Sequence, residues 1–243
     1  NLAGTSCNSW NEGLEIETDL GSPTISVITG YTNGTTSPCI LSLKTVTRTT
    51  TLNDTSAQSQ SISTFDSYGN VTEQKDTDWG GATLRDVTTT YLYQVNNAYS
   101  ASNINLVHLP YEQFTKDGNG TTFAHSILQY DQYGFTSSPS APGHDNTNYG
   151  SGFQTRGNLT TTIQTVSGSA SLYHLSKFDT LGNLTSFVYD TGSTTYGYND
   201  DGQNMYAFAT SITDGNGNKR TATYDYNAGK VSTQTDALLH TTH

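Results

Sequence analysis

Along most of this chain, β-branched and aromatic residues alternate weakly with small or polar ones in short runs. No long window carries an apolar repeat near 3.6 residues, so the pattern predicts strands and almost no helix. Residues 183–189, 219–224 and 230–235 show the strand pattern most clearly. In 12–21, Leu14 and Ile16 alternate with Glu15 and Glu17. That segment, 24–31 and the Thr-rich 41–52 are three further strand candidates. Asn33-Gly34 is a hairpin-turn dipeptide.

Between the runs, a phrase recurs: an aromatic, Asp, two or three variable residues, Gly, a polar residue, then a β-favouring residue and often Thr. It is carried by Phe65-Asp66 with Gly69, Tyr130-Asp131 with Gly134, Phe178-Asp179 with Gly182, and Tyr224-Asp225 with Gly229. Arg156-Gly157-Asn158-Leu159-Thr160 keeps only its second half. Asp179, Asp190 and Asp201 are eleven residues apart, as are Asp214, Asp225 and Asp236. Eleven residues suit one short strand and one turn. The Asp would open the turn by accepting nearby backbone N–H groups, and the Gly would supply a positive φ. The chain divides into an irregular β segment over 1–55, which would start or cover the sheet, and a hairpin array over 56–243 with a loop insertion near 134–157.

Composition sharpens this picture. Hydrophobic residues are only 32%, which raises the question of disorder, yet the chain holds 16 Tyr, 8 Phe and 2 Trp with 13% charged residues. Disordered chains show the opposite balance, so the chain is an ordered, all-β protein. The net charge of -11 disfavours nucleic acid, whose binding needs basic surface, and anionic membrane surfaces likewise. No apolar run approaches the length of a spanning helix. The chain opens at Asn1 without a charged then apolar leader, as expected of a processed or excised segment.

The serial Asp–Gly phrase, with Thr213-Asp214-Gly215-Asn216-Gly217-Asn218 leading to Thr235-Asp236, resembles the RHS or tyrosine–aspartate (YD) repeat family of bacterial surface and toxin-associated proteins. The resemblance covers roughly residues 56–243. The stretch from Asp131 to Leu159, with Ser137-Ser138-Pro139 and Pro142-Gly143-His144-Asp145, is similar to a linker between repeats in bacterial members. There are departures: Phe replaces Tyr at 65 and 178, the family's Asp-Pro phrase is missing, and Leu239 stands where Gly is expected. The resemblance implies a twisted, spiralling strip of sequential antiparallel hairpins. In the family such strips close into a hollow shell around cargo.

Three functions follow as expectations. The chain is a structural, non-catalytic wall segment in a bacterial extracellular or cell-surface assembly. Alternatively it is a filament subunit joined by strand addition, since the pattern stops at Thr241-Thr242-His243, where another strand is due. In the third reading it is a carbohydrate-binding adhesion module. The expected partners are further repeats, identical subunits through open strand edges, or carbohydrate. No cofactor is expected.

Candidate chemistry is sparse. The six histidines, at 108, 125, 144, 174, 240 and 243, show no metal-ligand spacing. Asp214, Asn216, Asn218 and Asp225 partly imitate a calcium loop, against the plainer reading that they form hairpin turns. Five Glu, no nucleophile elbow, no phosphate loop and no match to the self-cleaving core of some RHS relatives together argue against an enzyme. Cys7 and Cys39 are a disulfide candidate. Such a bridge would close a loop of about 30 residues and contribute roughly 3–4 kcal/mol, whereas the alternative is two buried thiols. Sequons occur at Asn33, Asn53, Asn70, Asn119, Asn158 and Asn183. Their turn role competes with glycosylation. The repeated Tyr and Phe suit either the packed face of a sheet or stacking against sugars.

Overall fold

In the computed structural model, described over residues 17–19, 25–33, 43–52, 54–138, 141–166 and 170–243, the predicted runs become antiparallel strands. They are β1 (Glu17–Asp19), β2 (Ile25–Asn33), β3 (Leu43–Leu52), β4 (Gln58–Phe65), β5 (Val71–Thr77), β6 (Thr83–Tyr91), β7 (Pro110–Asp117) and β8 (Thr122–Tyr130), followed by β9 (Leu159–Val166), β10 (Ala170–Phe178), β11 (Leu184–Tyr189), β12 (Gly192–Gly197), β13 (Ser211–Asp214), β14 (Lys219–Asp225), β15 (Lys230–Thr235) and β16 (Thr241–Thr242). Among the described residues the sheet order is the chain order, each strand hydrogen-bonded to the next in sequence. Among the described residues helix is confined to two four-residue pieces, α1 (Leu92–Val95) and α2 (Asn146–Tyr149), and a 3-10 turn at Asn97–Ser100. The all-β meander of sequential hairpins is therefore observed.

The chain forms two compact units. The first is residues 1–126 with 165–169, and the second is 127–164 with 170–243. The division expected at residue 55 is crossed by paired strands, with β3 meeting β4 from Thr45↔Thr64 to Thr51↔Gln58. β2 and β3 pair from Ile25↔Leu52 to Asn33↔Leu43, and Gly34 of the Asn33-Gly34 dipeptide lies outside the described residues.

Within each unit, successive connections fall at opposite ends of the strands, as an antiparallel meander requires. In the first unit one end carries 66–70 and 92–109, and the other carries 78–82 and 118–121. In the second, one end carries 131–158, 179–183, 198–210 and 226–229, and the other carries 190–191, 215–218 and 236–240. Burial follows this polarity. Leu92, Tyr99, Val107 and Asn70 are buried at the loop end of the first unit; Tyr130, Phe135, Ser138, Asp179, Thr180 and Thr210 are buried at that of the second. Most strand residues between are half-buried or exposed: every residue of β5 is intermediate on both faces, and β15 is largely exposed. The ordering of the chain thus rests on backbone ladders and on the loops packed over one strand end.

Candidate functional site

The aspartates build one turn repeatedly. Asp66 donates its N–H to Asn70 O at 2.9 Å and accepts Gly69 N–H on its carbonyl at 3.2 Å. Its carboxylate Oδ1 accepts the N–H groups of Tyr68 and Asn70, each at 2.9 Å. The same four bonds recur at Asp78, Asp117, Asp179, Asp214 and Asp236. This is a turn closed by a left-handed residue, and Gly69 (φ 83°) is suited to it because it has no Cβ. The register slips beside the aromatic before the Asp, at Phe65, Phe178 and Tyr224, as a bulge at the turn demands. Of those aromatics, Tyr130 is buried and Phe65, Phe178 and Tyr224 are half-buried.

The turn at Tyr130-Asp131 corrects the expected pairing with Gly134, which has no positive φ. The chain leaves directly after Asp131, itself at φ 55°, and the turn is completed by Arg156-Gly157-Asn158, with Gly157 at φ 77°. Asp131 accepts the N–H groups of Arg156 at 2.9 Å, Gly157 at 2.7 Å and Asn158 at 3.0 Å, and its own N–H reaches Asn158 O. The half-phrase at 156–160 is therefore the second half of this turn. The intervening loop is held by Arg156, whose guanidinium donates to the carbonyls of Phe153, Thr180, Tyr149 and Gly150 and lies over the Phe135 and Phe153 rings. Burial lowers the Arg156 pKa from its ordinary value, and the charges of Asp131 and Asp179 oppose that shift.

At two turns the Asn four residues after the Asp clamps a long loop. Asn70 Nδ2 donates to Asp66 Oδ2 at 2.8 Å and to Val107 O at 2.9 Å. Asn183 Nδ2 donates to Asp179 Oδ2 and to Tyr206 O, both at 3.0 Å. Tyr93 Oη adds a bond to Asp66 Oδ2 at 2.9 Å, and in the second unit Ser138 Oγ fills that role on Asp179 at 3.1 Å. Burial alone would raise the Asp66 pKa, but the bonds from Asn70, Tyr93 and Tyr68 outweigh it and hold the carboxyl below its usual range. Burial and the same Asp66 push the Tyr93 phenol up to about 12, so it stays a donor near neutrality.

The calcium reading does not survive this geometry. Both Asp214 oxygens serve the turn, accepting Asn216 N, Asn218 N and Asn218 Nδ2. Asp225 accepts Asn227 N and Ala228 N at the far end of β14, roughly 20 Å away for a seven-residue strand. The four residues do not share a site, and among the described residues no group of three or more His, Cys, Asp or Glu converges. Cys7 and Cys39 lie outside the described residues, as do Asn53 and the side chain of Asn33. The Asn70 and Asn183 amides are engaged in the clamps, and Asn158 Nδ2 is buried. Asn119 stands in the exposed turn after β7.

The clamp depends on two signals that the repeat phrase does not contain. Thr89-Thr90-Tyr91-Leu92-Tyr93 in the first unit matches Thr194-Thr195-Tyr196-Gly197-Tyr198 in the second. Asn105-Leu106-Val107 matches Asn204-Met205-Tyr206, with Asn105 at φ 52° and Asn204 at φ 58°. Each could have been found by aligning the chain on its Tyr-x-Tyr pairs.

No protein-family profile matches the chain, and no curated protein matches it. Among solved structures, a porin-like protein from Bacteroides uniformis aligns over 90% of this chain and 91% of its own, with 15% identity and a TM-score of 0.35. TcdB2-TccC3 without its hypervariable C-terminal region aligns over 93% of this chain and 11% of its own, with 12% identity and a TM-score of 0.34. At such TM-scores neither likeness assigns a function. No helix among the described residues is long and apolar enough to cross a membrane.

Proposed function

We propose that this chain is a structural, non-catalytic stretch of RHS/YD-type sheet in a bacterial extracellular or cell-surface assembly, part of the wall of an encapsulating shell. The observation that carries this reading is the strand order. Sixteen strands among the described residues pair in chain order, so each added hairpin extends the same sheet. A wall needs that kind of growth, and it needs no site of chemistry. The recurring Asp turn supports it further, because each turn closes with its own bonds and can be repeated without a new core. The partners in this reading are further repeats of the same kind.

The test is electron microscopy of the native gene product. Closed hollow particles are the expected result. Long fibres with a repeat of one 243-residue unit would sink the shell and favour strand addition between copies.

A further inference from the structure

Two hairpin tips carry the same four residues. Asp117-Gly118-Asn119-Gly120 joins β7 to β8, and Asp214-Gly215-Asn216-Gly217 joins β13 to β14. Both tips lie at the strand ends away from the buried loops, and both asparagines are exposed. The other turns of this type have Tyr68, Gly80, Leu181 and Leu238 in the asparagine's place, so the turn itself does not call for Asn there. An asparagine followed by glycine is chemically exposed, because glycine has no side chain to hinder the attack of its backbone nitrogen on the asparagine amide.

The closed turn restrains that nitrogen. To react, Gly120 N has to lose its proton and swing onto Cγ of Asn119. In the turn its N–H donates to Asp117 O at 3.0 Å, and the N–H of Gly217 donates to Asp214 O at 3.0 Å. The Asp carboxylate fixes the peptide groups on either side. Asp117 Oδ1 accepts Asn119 N–H at 2.9 Å and Thr121 N–H at 2.8 Å, and Asp214 Oδ1 accepts the N–H groups of Asn216 and Asn218, each at 2.9 Å. The first tip is also seated on the preceding strand, where a Cβ on Gly118 would meet Thr83 O at 2.0 Å. These contacts have to break before the glycine nitrogen is free.

We infer that Asn119 and Asn216 are deamidation sites guarded by their own Asp turns, each reacting only when its hairpin tip opens. In the open tip the glycine nitrogen bonds to the asparagine Cγ, the side-chain nitrogen leaves as ammonia, and a succinimide ring remains. Water then opens the ring at either carbonyl and leaves aspartate or isoaspartate. Each event makes a chain of net charge -11 more negative by a further charge. Isoaspartate also routes the backbone through its β-carbon, which lengthens the tip and keeps it from closing on its former bonds. A brief opening is thereby recorded permanently. The inference does not depend on the shell reading, because the two turns alone carry it.

The experiment is incubation of the 243-residue protein in mildly alkaline buffer, with both asparagines followed by peptide mapping in a mass spectrometer. Free peptides of residues 113–124 and 210–221 supply the unguarded rates. Both sites should react at least roughly tenfold more slowly in the folded protein. Asp117→Ala removes both carboxylate bonds and should speed Asn119 by roughly tenfold while leaving Asn216 unchanged. Asp214→Ala should do the reverse. Asp117→Ser keeps a weaker acceptor, so its rate should fall between, and it serves should the alanine variant not fold. Exchange of the Gly120 amide proton should quicken in step, since it needs the same opening. Rates in the folded protein equal to those of the peptides would overturn the inference. So would an unchanged Asn119 rate in both Asp117 variants, or equal acceleration of the two sites by either variant, which would place the guard in global stability instead of the turn.

Discussion

The loop at 92–109 and the loop at 198–210 are one device in two states. Both follow a Tyr-x-Tyr pair, and both are closed at the residue between the tyrosines. Leu92 N donates to Leu109 O at 2.8 Å, and Thr210 N donates to Gly197 O at 2.8 Å. Both are clamped by the Asn of an Asp–Gly turn. The first then buries Leu92 to 6%, Tyr99 to 5% and Val107 to 3%, so its clamp is a structural joint. The second has Gly197 in place of the leucine and Tyr206, at φ 55°, in place of the valine. The difference teaches that in this fold a core is optional at each loop, since the turn and its Asn hold the backbone whether or not apolar side chains fill the space beneath.

The largest effect should come from emptying the filled joint. Leu92→Ala removes a buried side chain from a small cluster with little to collapse into the gap, and should cost about 2–4 kcal/mol in denaturant unfolding. The reverse substitution, Gly197→Leu, has to displace the Asp200 and Ser211 side chains before it can fill the loop of the second unit. Its Cβ would press on Asp200 and Ser211, and a loss of about 1–3 kcal/mol is expected. If Gly197→Leu were neutral or stabilising, the comparison of the two loops would fail.

The clamps themselves come next. Asn70 is 6% exposed, and its loss would take its donor from Val107 O and leave Asp66 Oδ2 with Tyr93 Oη alone. Asn70→Ala should cost about 2–3 kcal/mol. Asn183 is only half-buried, so water can replace part of its bonding, and Asn183→Ala should cost about 1 kcal/mol. Equal losses, measured by the same unfolding transition, would mean that the filling of the loop does not matter to the clamp.

Much of this was legible in the residues, for physical reasons. In Asp66-Ser67-Tyr68-Gly69-Asn70 the four bonds that close the turn lie within five residues, so the local phrase suffices to predict it. The strand at 230–235 follows for the same reason. The turn at Asp131 was not legible, because its partners are 25–27 residues away and Gly134 offered a plausible local substitute. The clamps were hidden likewise. Asn70 reads locally as a turn residue or a sequon, and nothing in the phrase says that its amide also reaches Val107, 37 residues on. The contrast between the two loops needs both to be compared, which a single repeat phrase cannot display.

Acid should expose the first clamp. The Asp66 carboxyl is held below its ordinary range, so its contribution to stability is full above the unfolded value near pH 3.9. That contribution is lost as pH falls from about 4 through the lower folded value. The carboxyl carbon of Asp66, followed by NMR, should titrate below 3.9 in the parent, and Tyr93→Phe should move it upward by removing a donor. Titration at or above the ordinary value would show that burial, rather than the clamp bonds, controls the group.

The smallest effect concerns the turn that keeps the fold's geometry with the wrong residue. Leu239 occupies the left-handed position at φ 67°, where the other turns of this type have glycine, and its side chain is 82% exposed. It therefore gains nothing from packing to offset the crowding of its Cβ against the backbone. Leu239→Gly removes about 1–2 kcal/mol of that crowding, but it also frees the unfolded chain, which returns roughly 0.5–1 kcal/mol. The net gain should be about 1 kcal/mol and local to the β15–β16 turn. Hydrogen exchange of the Asp236 and Leu239 amides, bonded to His240 O and Asp236 O, should slow about fivefold. Faster exchange in the variant would mean that the leucine side chain stabilises the turn despite its exposure, and that the glycine position in this turn is chosen by something other than its φ.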